Sequence, residues 1–531
     1  MIVGDSSGRR RSVAAWIVAG ITFAVFLPAV FNNFVEWDDA LIITTNPQFN
    51  PPTWGTIGYY CTHVVWNLYM PVTCMLWAAL ARLGRVGTPD AMGTQMNPYV
   101  FHLAQVALHA IAATAVFGIL RRAVSSPWAA AAGAMVFAIH PLQVESVAFV
   151  GAMNTPLAGA LMLTAIWIYR DGGKKSRWFT SGLFVLAMLS KPNVVVGPVI
   201  LILLDLAEKR SVRDAIIGAL PWIVLAVPCL IWTKMIQSHA GNEAGPIWSR
   251  PLIAGNAMMF YVRKFFVPWP LGIDYGRTPE RMMASTRIWW AWIVPAAMMA
   301  AAWVGRRRWP IAAAGVAIFF VAMLPNSGLV PFEFQYISTM ADRYVYLSML
   351  GVAMVVACWI KSAPSGRPLR GVIVGAALLA CLVATELQIR VWWDGQTLFR
   401  HAIAVNPWSW MARSNLGMIL QESDPDEAIA QCRLAVELNP KGWIPHNNLA
   451  AVLSARDPDA AIAQGQIAVT LNPGYSDAFN NLGVAFTRKG DLKDAVTAFG
   501  RAHQLAPDNP IIADNYRRAA AGGFAATRRA E

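Results

Sequence analysis

The chain reads as an all-α protein: a polytopic membrane domain of about eleven transmembrane helices followed by an α-solenoid. Three observations predict this. Hydrophobic residues make up 56% of the 531 and charged residues only 14%. Soluble domains average roughly 25% charged residues, so much of this chain faces lipid. Apolar runs approaching the ~20 residues needed to cross a bilayer recur as far as Leu387. Beyond Val391 the pattern changes to Asn-Pro pairs at a period of 33 residues.

The expected spans are Val13–Val30, Pro98–Leu120, Trp128–Val144, Pro156–Tyr169, Trp178–Leu189, Val194–Leu206, Ala215–Ile236, Trp289–Val304, Pro310–Leu324, Tyr344–Ile360 and Gly371–Leu387. Arg9, Arg10 and Arg11 before the first run resemble the start of a signal peptide. The run continues to Val30 without a small-residue cleavage site, so it reads as a retained membrane helix. Two further apolar pieces, Val64–Leu83 and Ala257–Leu271, contain Trp, Tyr and Arg and suit an interface or a re-entrant path.

Charge sets the orientation. The first 390 residues carry a net charge of +14 and the remainder −1. With eleven spans, Arg9–Arg11, Arg121–Arg122, Arg170–Arg177, Lys209–Arg213, Arg306–Arg308 and Lys361–Arg370 fall on one side, which the positive-inside rule makes cytoplasmic. The basic excess therefore marks cytoplasmic loops rather than a nucleic-acid surface. The outer side receives the first outer loop (31–97), Gln237–Arg287, Pro325–Arg343 and everything after Arg390. The expected domains are 1–390 in the membrane and 391–531 outside it. Six scattered cysteines contain no CxxC, so no metal or redox motif is visible. For Cys61 and Cys74 in the first outer loop, a bridge and two free thiols are both open.

The tail is a repeat array. Asn406-Pro407, Asn439-Pro440 and Asn472-Pro473 recur together with Asn415-Leu416-Gly417, Asn448-Leu449-Ala450 and Asn481-Leu482-Gly483. Small residues where paired helices touch, at a period near 34, are the tetratricopeptide-repeat (TPR) signature. The array reads as a half-repeat over Leu398–Pro407, three repeats, and a capping helix over Ile511–Arg529. Asp424-Pro425 and Asp457-Pro458 leave the first two units one turn residue short. Trp392, Trp393, Trp408, Trp410 and Trp443 are candidates for contact with a partner, for packing, or for lipid head groups.

Chemistry-bearing residues gather at the outer ends of the helices. Glu36, Asp38 and Asp39 follow the first span immediately. His140 and Glu145 close the third. Lys191 lies in a Ser-Lys-Pro break. Tyr261, Arg263 and Lys264 precede Asp274-Tyr275, and Asp342-Arg343-Tyr344 opens the tenth span. Ionisable groups at membrane depth are costly and mark functional sites. Carboxylates beside several cations suit transfer from a phosphate-linked donor: a carboxylate takes the proton of the attacking hydroxyl, and the cations stabilise the departing phosphate.

Trp37-Asp38-Asp39, then His140-Pro141-Leu142-Gln143-Val144-Glu145, then Leu189-Ser190-Lys191-Pro192, then Ala341-Asp342-Arg343-Tyr344, with repeats behind, together resemble the transmembrane and tetratricopeptide-repeat (TMTC) family and its bacterial relatives. That family belongs to the GT-C glycosyltransferases. The resemblance implies a GT-C-like membrane fold and an inverting, metal-independent transfer, with no cofactor, from a polyprenyl-phosphate sugar. The sugar would be mannose-like and the acceptor a Ser or Thr hydroxyl of an exported protein, at the outer face of a bacterial cytoplasmic membrane. Asp38 or Asp39 would be the base, with Asp38 favoured. His140, Lys191, Lys264 and Arg343 would surround the donor phosphate, and Glu145, Tyr275, Asp342 and Tyr344 would support them. One departure stands out: Gly151-Ala152-Met153-Asn154-Thr155 replaces a block that is charged in the family. Two other readings fit the repeats: a non-catalytic membrane-anchored scaffold, and a GT-C enzyme with a lipid or glycan acceptor.

Overall fold

The computed structural model describes residues 6–65, 67–88, 95–172, 176–236, 245–362 and 369–522. Lys174, Lys175, Gln237, part of the Lys361–Arg370 cluster and the 523–529 end of the expected capping helix lie outside them. The described residues form helices and two isolated bridges, Val65 with Leu68 and Arg85 with Met96, and no strand. The chain divides into two compact units, Met1–Asp394 and Gly395–Glu531.

Within the first unit, α1 (Ser6–Phe26) leads to a loop holding two short helices, α2 (Trp54–Thr62) and α3 (Pro71–Leu83). Helices α4 (Pro98–Val124), α5 (Pro127–Ile139), α6 (Val144–Ala148), α7 (Asn154–Asp171), α8 (Ser176–Ser190), α9 (Gly197–Ala207) and α10 (Val212–Ile236) follow. After α11 (Arg250–Phe266) and α12 (Pro279–Met283) come α13 (Ile293–Gly305), α14 (Pro310–Met323), α15 (Met349–Lys361) and α16 (Leu369–Val391). Each of the eleven expected apolar segments carries a helix. Six described helices are long and apolar enough to cross a membrane, seven if the bent pair Pro127–Ile139 and Pro141–Ala148 is one span. The central helices α4 and α7 are mostly buried, whereas α10, α13 and α16 turn apolar side chains such as Val224, Trp303 and Leu379 outward. Cys61 and Cys74 are free thiols.

The expected Trp128–Val144 span is broken. It bends by 52° at His140-Pro141. Pro141 has no N–H and disfavours helical backbone at the residue before it, and His140 is extended (φ −73°, ψ 135°). The break strips three carbonyls of helical partners, which membrane surroundings make expensive. A nearby glutamine and two distant side chains capture all three. Gln143 Nε2 donates to Phe137 O (3.0 Å), His109 Nε2 to Ala138 O (2.8 Å), and Thr385 Oγ1 to Ile139 O (2.9 Å). With its Nε2 proton so used, His109 accepts the Tyr346 hydroxyl at Nδ1 (2.9 Å).

In the second unit, α17 (Gly395–Val405) precedes three hairpins: α18 (Trp410–Leu420) with α19 (Pro425–Leu438), α20 (Trp443–Leu453) with α21 (Pro458–Leu471), and α22 (Ser476–Lys489) with α23 (Leu492–Leu505). Helix α24 (Pro510–Ala520) follows. The third hairpin turns on Gly490 in left-handed backbone (φ 93°). The first two omit that residue and start the next helix directly on Asp-Pro, the Asp424 and Asp457 carboxylates accepting the N–H groups of Glu427 and Ala460. Asparagines keep the hairpins in register: Asn448 donates to Ser414 Oγ, Asn481 to Asn447 Oδ1 and Asn515 to Asn480 Oδ1.

Within this unit two helices approach closely at Gly417, where an added Cβ would meet Cys432 Sγ at 2.4 Å and the Ala428 carbonyl at 2.8 Å. A backbone atom cannot rotate away. Gly417→Val is therefore expected to destabilise this unit by about 1–3 kcal/mol. Faster limited proteolysis within 395–531 of the full-length protein would show it, and wild-type resistance would contradict the packing.

Candidate functional site

The site grows from the end of the first membrane helix. Residues 27–31 close α1 as a 3-10 turn, and the loop beyond is pinned where Asn33 N–H donates to Trp393 O (2.9 Å). The adjacent acids then take different environments. Asp39 is fully buried, and both its carboxylate oxygens accept backbone N–H groups: Val35 at 3.0 Å and Gly151 at 2.7 Å. A side chain at 151 would press on the Phe149 ring (2.7 Å) and on Asp39 Oδ1 (3.1 Å), so glycine is what lets the backbone at 151 reach the Asp39 carboxylate. Asp38 is half-buried, and among the described residues no hydrogen bond reaches its carboxylate. Burial pushes Asp38 up to about 6; Arg343 opposes this, and Glu145 and Glu333 add to it.

Arg343 arrives on the loop before α15. Tyr261 from α11 clamps that loop, its hydroxyl donating to Ala341 O (2.9 Å) and accepting Ala341 N–H (3.1 Å). Ser338 Oγ closes a second tight turn by donating to Met340 O (2.8 Å). The loop is thereby rigid where Glu145, from the short helix past the His140 break, meets it twice. Glu145 Oε2 accepts the Arg343 backbone N–H (3.0 Å) and Oε1 pairs with the guanidinium. Both side chains are nearly inaccessible, at 2% and 11% exposure, so the pair is desolvated. The guanidinium also lies over the rings of Phe334 (4.6 Å) and Tyr344 (5.1 Å).

Two lysines complete the arrangement. Lys191, in the gap between α8 and α9, donates to Thr155 Oγ1 (2.5 Å) at the start of α7. Burial pulls it down to about 7, Arg343 acting in the same sense and Glu145 against. Lys264 is buried among Phe260 and Tyr275 and donates to the Pro270 carbonyl. Burial lowers it and Asp342 partly restores it. Tyr275 donates to Asp342 Oδ1 (2.7 Å) and accepts Gly272 N–H (3.0 Å). Asp342 is held well above the usual carboxylate range by burial and by Glu145, as a group that faces another acid must be.

The fold thus brings Asp38, Glu145, Lys191, Arg343 and the Lys264–Tyr275–Asp342 group into one electrostatic neighbourhood. Tyr344 serves it as a ring, edge-on to Phe332 and Phe334. His140 is set apart by its bonds. Its Nδ1 accepts Leu142 N–H (3.3 Å), which leaves Nε2 to donate to Phe265 O (3.1 Å). Both ring nitrogens are spent on backbone, and the ring stacks on Phe265, next to Lys264. Several contributors escaped sequence reasoning. Gly151 and Thr155 hold Asp39 and Lys191 from the segment that looked merely neutral. Glu333, which accepts from Asn67 (3.1 Å), adds a carboxylate beside Asp38. Of the tryptophans, Trp392 is buried against Phe149 and Trp408 is exposed.

Residues 451–510 match the tetratricopeptide-repeat family. The chain is 24% identical over 308 residues to Protein O-mannosyl-transferase Tmtc2 of Drosophila melanogaster. That similarity spans 51% of this chain and 31% of the fly protein's length. The Cut9–Hcn1 hetero-tetramer of the APC/C aligns over 80% of this chain and 90% of its own at 13% identity, with a TM-score of 0.25, too low to carry an argument. The repeat match and the Tmtc2 similarity support a relative of the TMTC proteins, in line with the motifs.

Proposed function

We propose that this TMTC relative is a multi-pass membrane glycosyltransferase. It would move a single sugar, mannose-like, from a polyprenyl-phosphate donor to a Ser or Thr hydroxyl of an exported protein, with inversion and without metal or cofactor. The observation that carries the reading is the contrast within the acidic pair. Asp39 is locked by two amide donors, whereas Asp38 is partly buried with a carboxylate that no hydrogen bond reaches among the described residues, and a desolvated arginine acts on it. A base needs an oxygen free to take a proton.

In the proposed reaction the acceptor oxygen attacks the anomeric carbon from the face opposite the phosphate. The bond from that carbon to the phosphate oxygen breaks, and its electron pair leaves with the polyprenyl phosphate. The hydroxyl proton passes to Asp38, which returns it to water. Arg343 and Lys191 offset the charge that builds on the leaving phosphate. Lys264, with Asp342 and Tyr275, holds the loop that carries Arg343. His140 acts here as a positioning residue on the backbone of α11 rather than as a phosphate ligand. The repeat domain would hold the protein acceptor, and the active face would be the outer side of a bacterial cytoplasmic membrane.

Purified protein supplied with labelled polyprenyl-phosphate mannose and exported proteins should label protein in a form released by β-elimination. Label entering only lipid or glycan would favour the other acceptor class, and no transfer from any polyprenyl-phosphate sugar would leave the scaffold reading. The pH profile is a further test. The base must be ionised, so rate should rise with pH through about 6. Lys191 must be charged, so rate should fall above about 7. A narrow bell results. A flat profile between 5 and 8 would contradict both assignments.

A further inference from the structure

Beside the Lys264–Tyr275–Asp342 group, the same loop faces a second feature. Immediately after Tyr275, Gly276 and Arg277 line a cavity of about 270 Å³ together with Asn256, Arg281, Met282, Ser285 and Arg287. Three arginines converge on it and a fourth, Arg263, stands near enough to Arg277 to repel it. Among the described residues, none of these four has a carboxylate within 4.0 Å. Arg277 is nonetheless held still. Its Nη1 donates to Asn256 Oδ1 (3.0 Å), its guanidinium lies over Phe260 (5.2 Å), and its carbonyl accepts Thr339 N–H (2.9 Å). A fixed guanidinium with two more at the rim, none neutralised, is a site built for an anion.

The surroundings narrow the class of anion. Phe266, Trp269, Trp289, Trp290 and Trp292 flank these residues in the chain and are all exposed. Aromatics of this kind gather at the water–lipid boundary. Arginine forks match phosphate oxygens in pairs, and the cavity has room for a phosphodiester with several waters at about 30 Å³ each. We propose that this pocket binds the phosphate head group of a membrane lipid. Two lipids share that chemistry: an anionic bilayer phospholipid and a polyprenyl phosphate. The site stands independently of sugar transfer, since none of its residues belongs to the proposed base or to the Glu145–Arg343 pair.

The test uses the full-length protein in detergent, with bound lipid counted by native mass spectrometry. The probes are phosphatidylglycerol, zwitterionic phosphatidylcholine and undecaprenyl phosphate. Arg281 and Arg287 are exposed, so Arg281→Ala/Arg287→Ala should fold, and an unchanged melting temperature verifies it. The double variant should bind at least one anionic probe about tenfold more weakly, leaving phosphatidylcholine unaffected, and excess inorganic phosphate should compete. A loss confined to phosphatidylglycerol identifies a bilayer lipid as the ligand, and one confined to undecaprenyl phosphate identifies the donor's carrier. Phosphatidylglycerol takes no part in the proposed transfer, so its binding is read independently of the fate of the transferase reading. Unaltered binding of both anionic probes in Arg281→Ala/Arg287→Ala, and again in Arg277→Ala, would overturn the proposal.

Discussion

Glu145→Ala is expected to destabilise the membrane unit by about 3–5 kcal/mol, the range for removing one partner of a buried ion pair. The effect is large because Glu145 serves two donors at once. Its loss leaves the guanidinium of Arg343 without its carboxylate and the Arg343 backbone N–H without an acceptor. The remaining contacts of the guanidinium, over Phe334 and Tyr344, are cation–π interactions and do not replace a carboxylate. Glu145→Gln separates the two roles. It keeps an acceptor for the backbone N–H while removing the charge, so it should recover part of the stability but little activity. Thermal unfolding in detergent reads the first quantity and sugar transfer the second. Wild-type melting of Glu145→Ala would mean that the pair does not hold the Arg343 loop.

A still larger effect is expected on rate. Asp38→Asn removes the proposed general base, a loss of about 10²–10⁴-fold, while its carboxylate, which no hydrogen bond reaches among the described residues, gives little reason for a change in stability. Asp39 should behave in the opposite way. Asp39→Ala strands the buried N–H groups of Val35 and Gly151, at about 1–3 kcal/mol each, and should lower the melting temperature before anything can be said of rate. Neighbouring carboxylates, one failing in catalysis and the other in folding, would be hard to explain without the geometry described here.

The helices were legible because lipid demands long apolar runs and the repeats demand a fixed period. Prolines and glycines marked most of their ends. The break at His140-Pro141 was also written in the sequence, yet it reads there as part of one span through Val144. A span with three unpaired carbonyls is not tolerable by itself. What makes it so is Gln143 just past the break together with His109 and Thr385, which come from α4 and α16. For the acidic pair the resemblance favoured Asp38, but the physical reason for a division of labour was out of reach in a similar way. Asp38 and Asp39 are equivalent to any local rule, and Gly151, which distinguishes them, is 112 residues away from Asp39. Glu145 and Arg343 are 198 apart. Both stood out as ionisable residues in apolar surroundings, but only the fold shows that each is the other's partner. His140 shows the converse. Its type and position suggested a phosphate ligand, while its ring is occupied by backbone on both sides.

The most direct measurement is the initial rate of labelled-sugar transfer from polyprenyl-phosphate mannose to protein by purified wild type and Asp38→Asn, with matched melting temperatures. A rate lower by at least about 10²-fold in the variant, at unchanged stability, is the predicted result. Equal rates from a well-folded Asp38→Asn would contradict the assignment of Asp38 as the base, and with it the mechanism built on it.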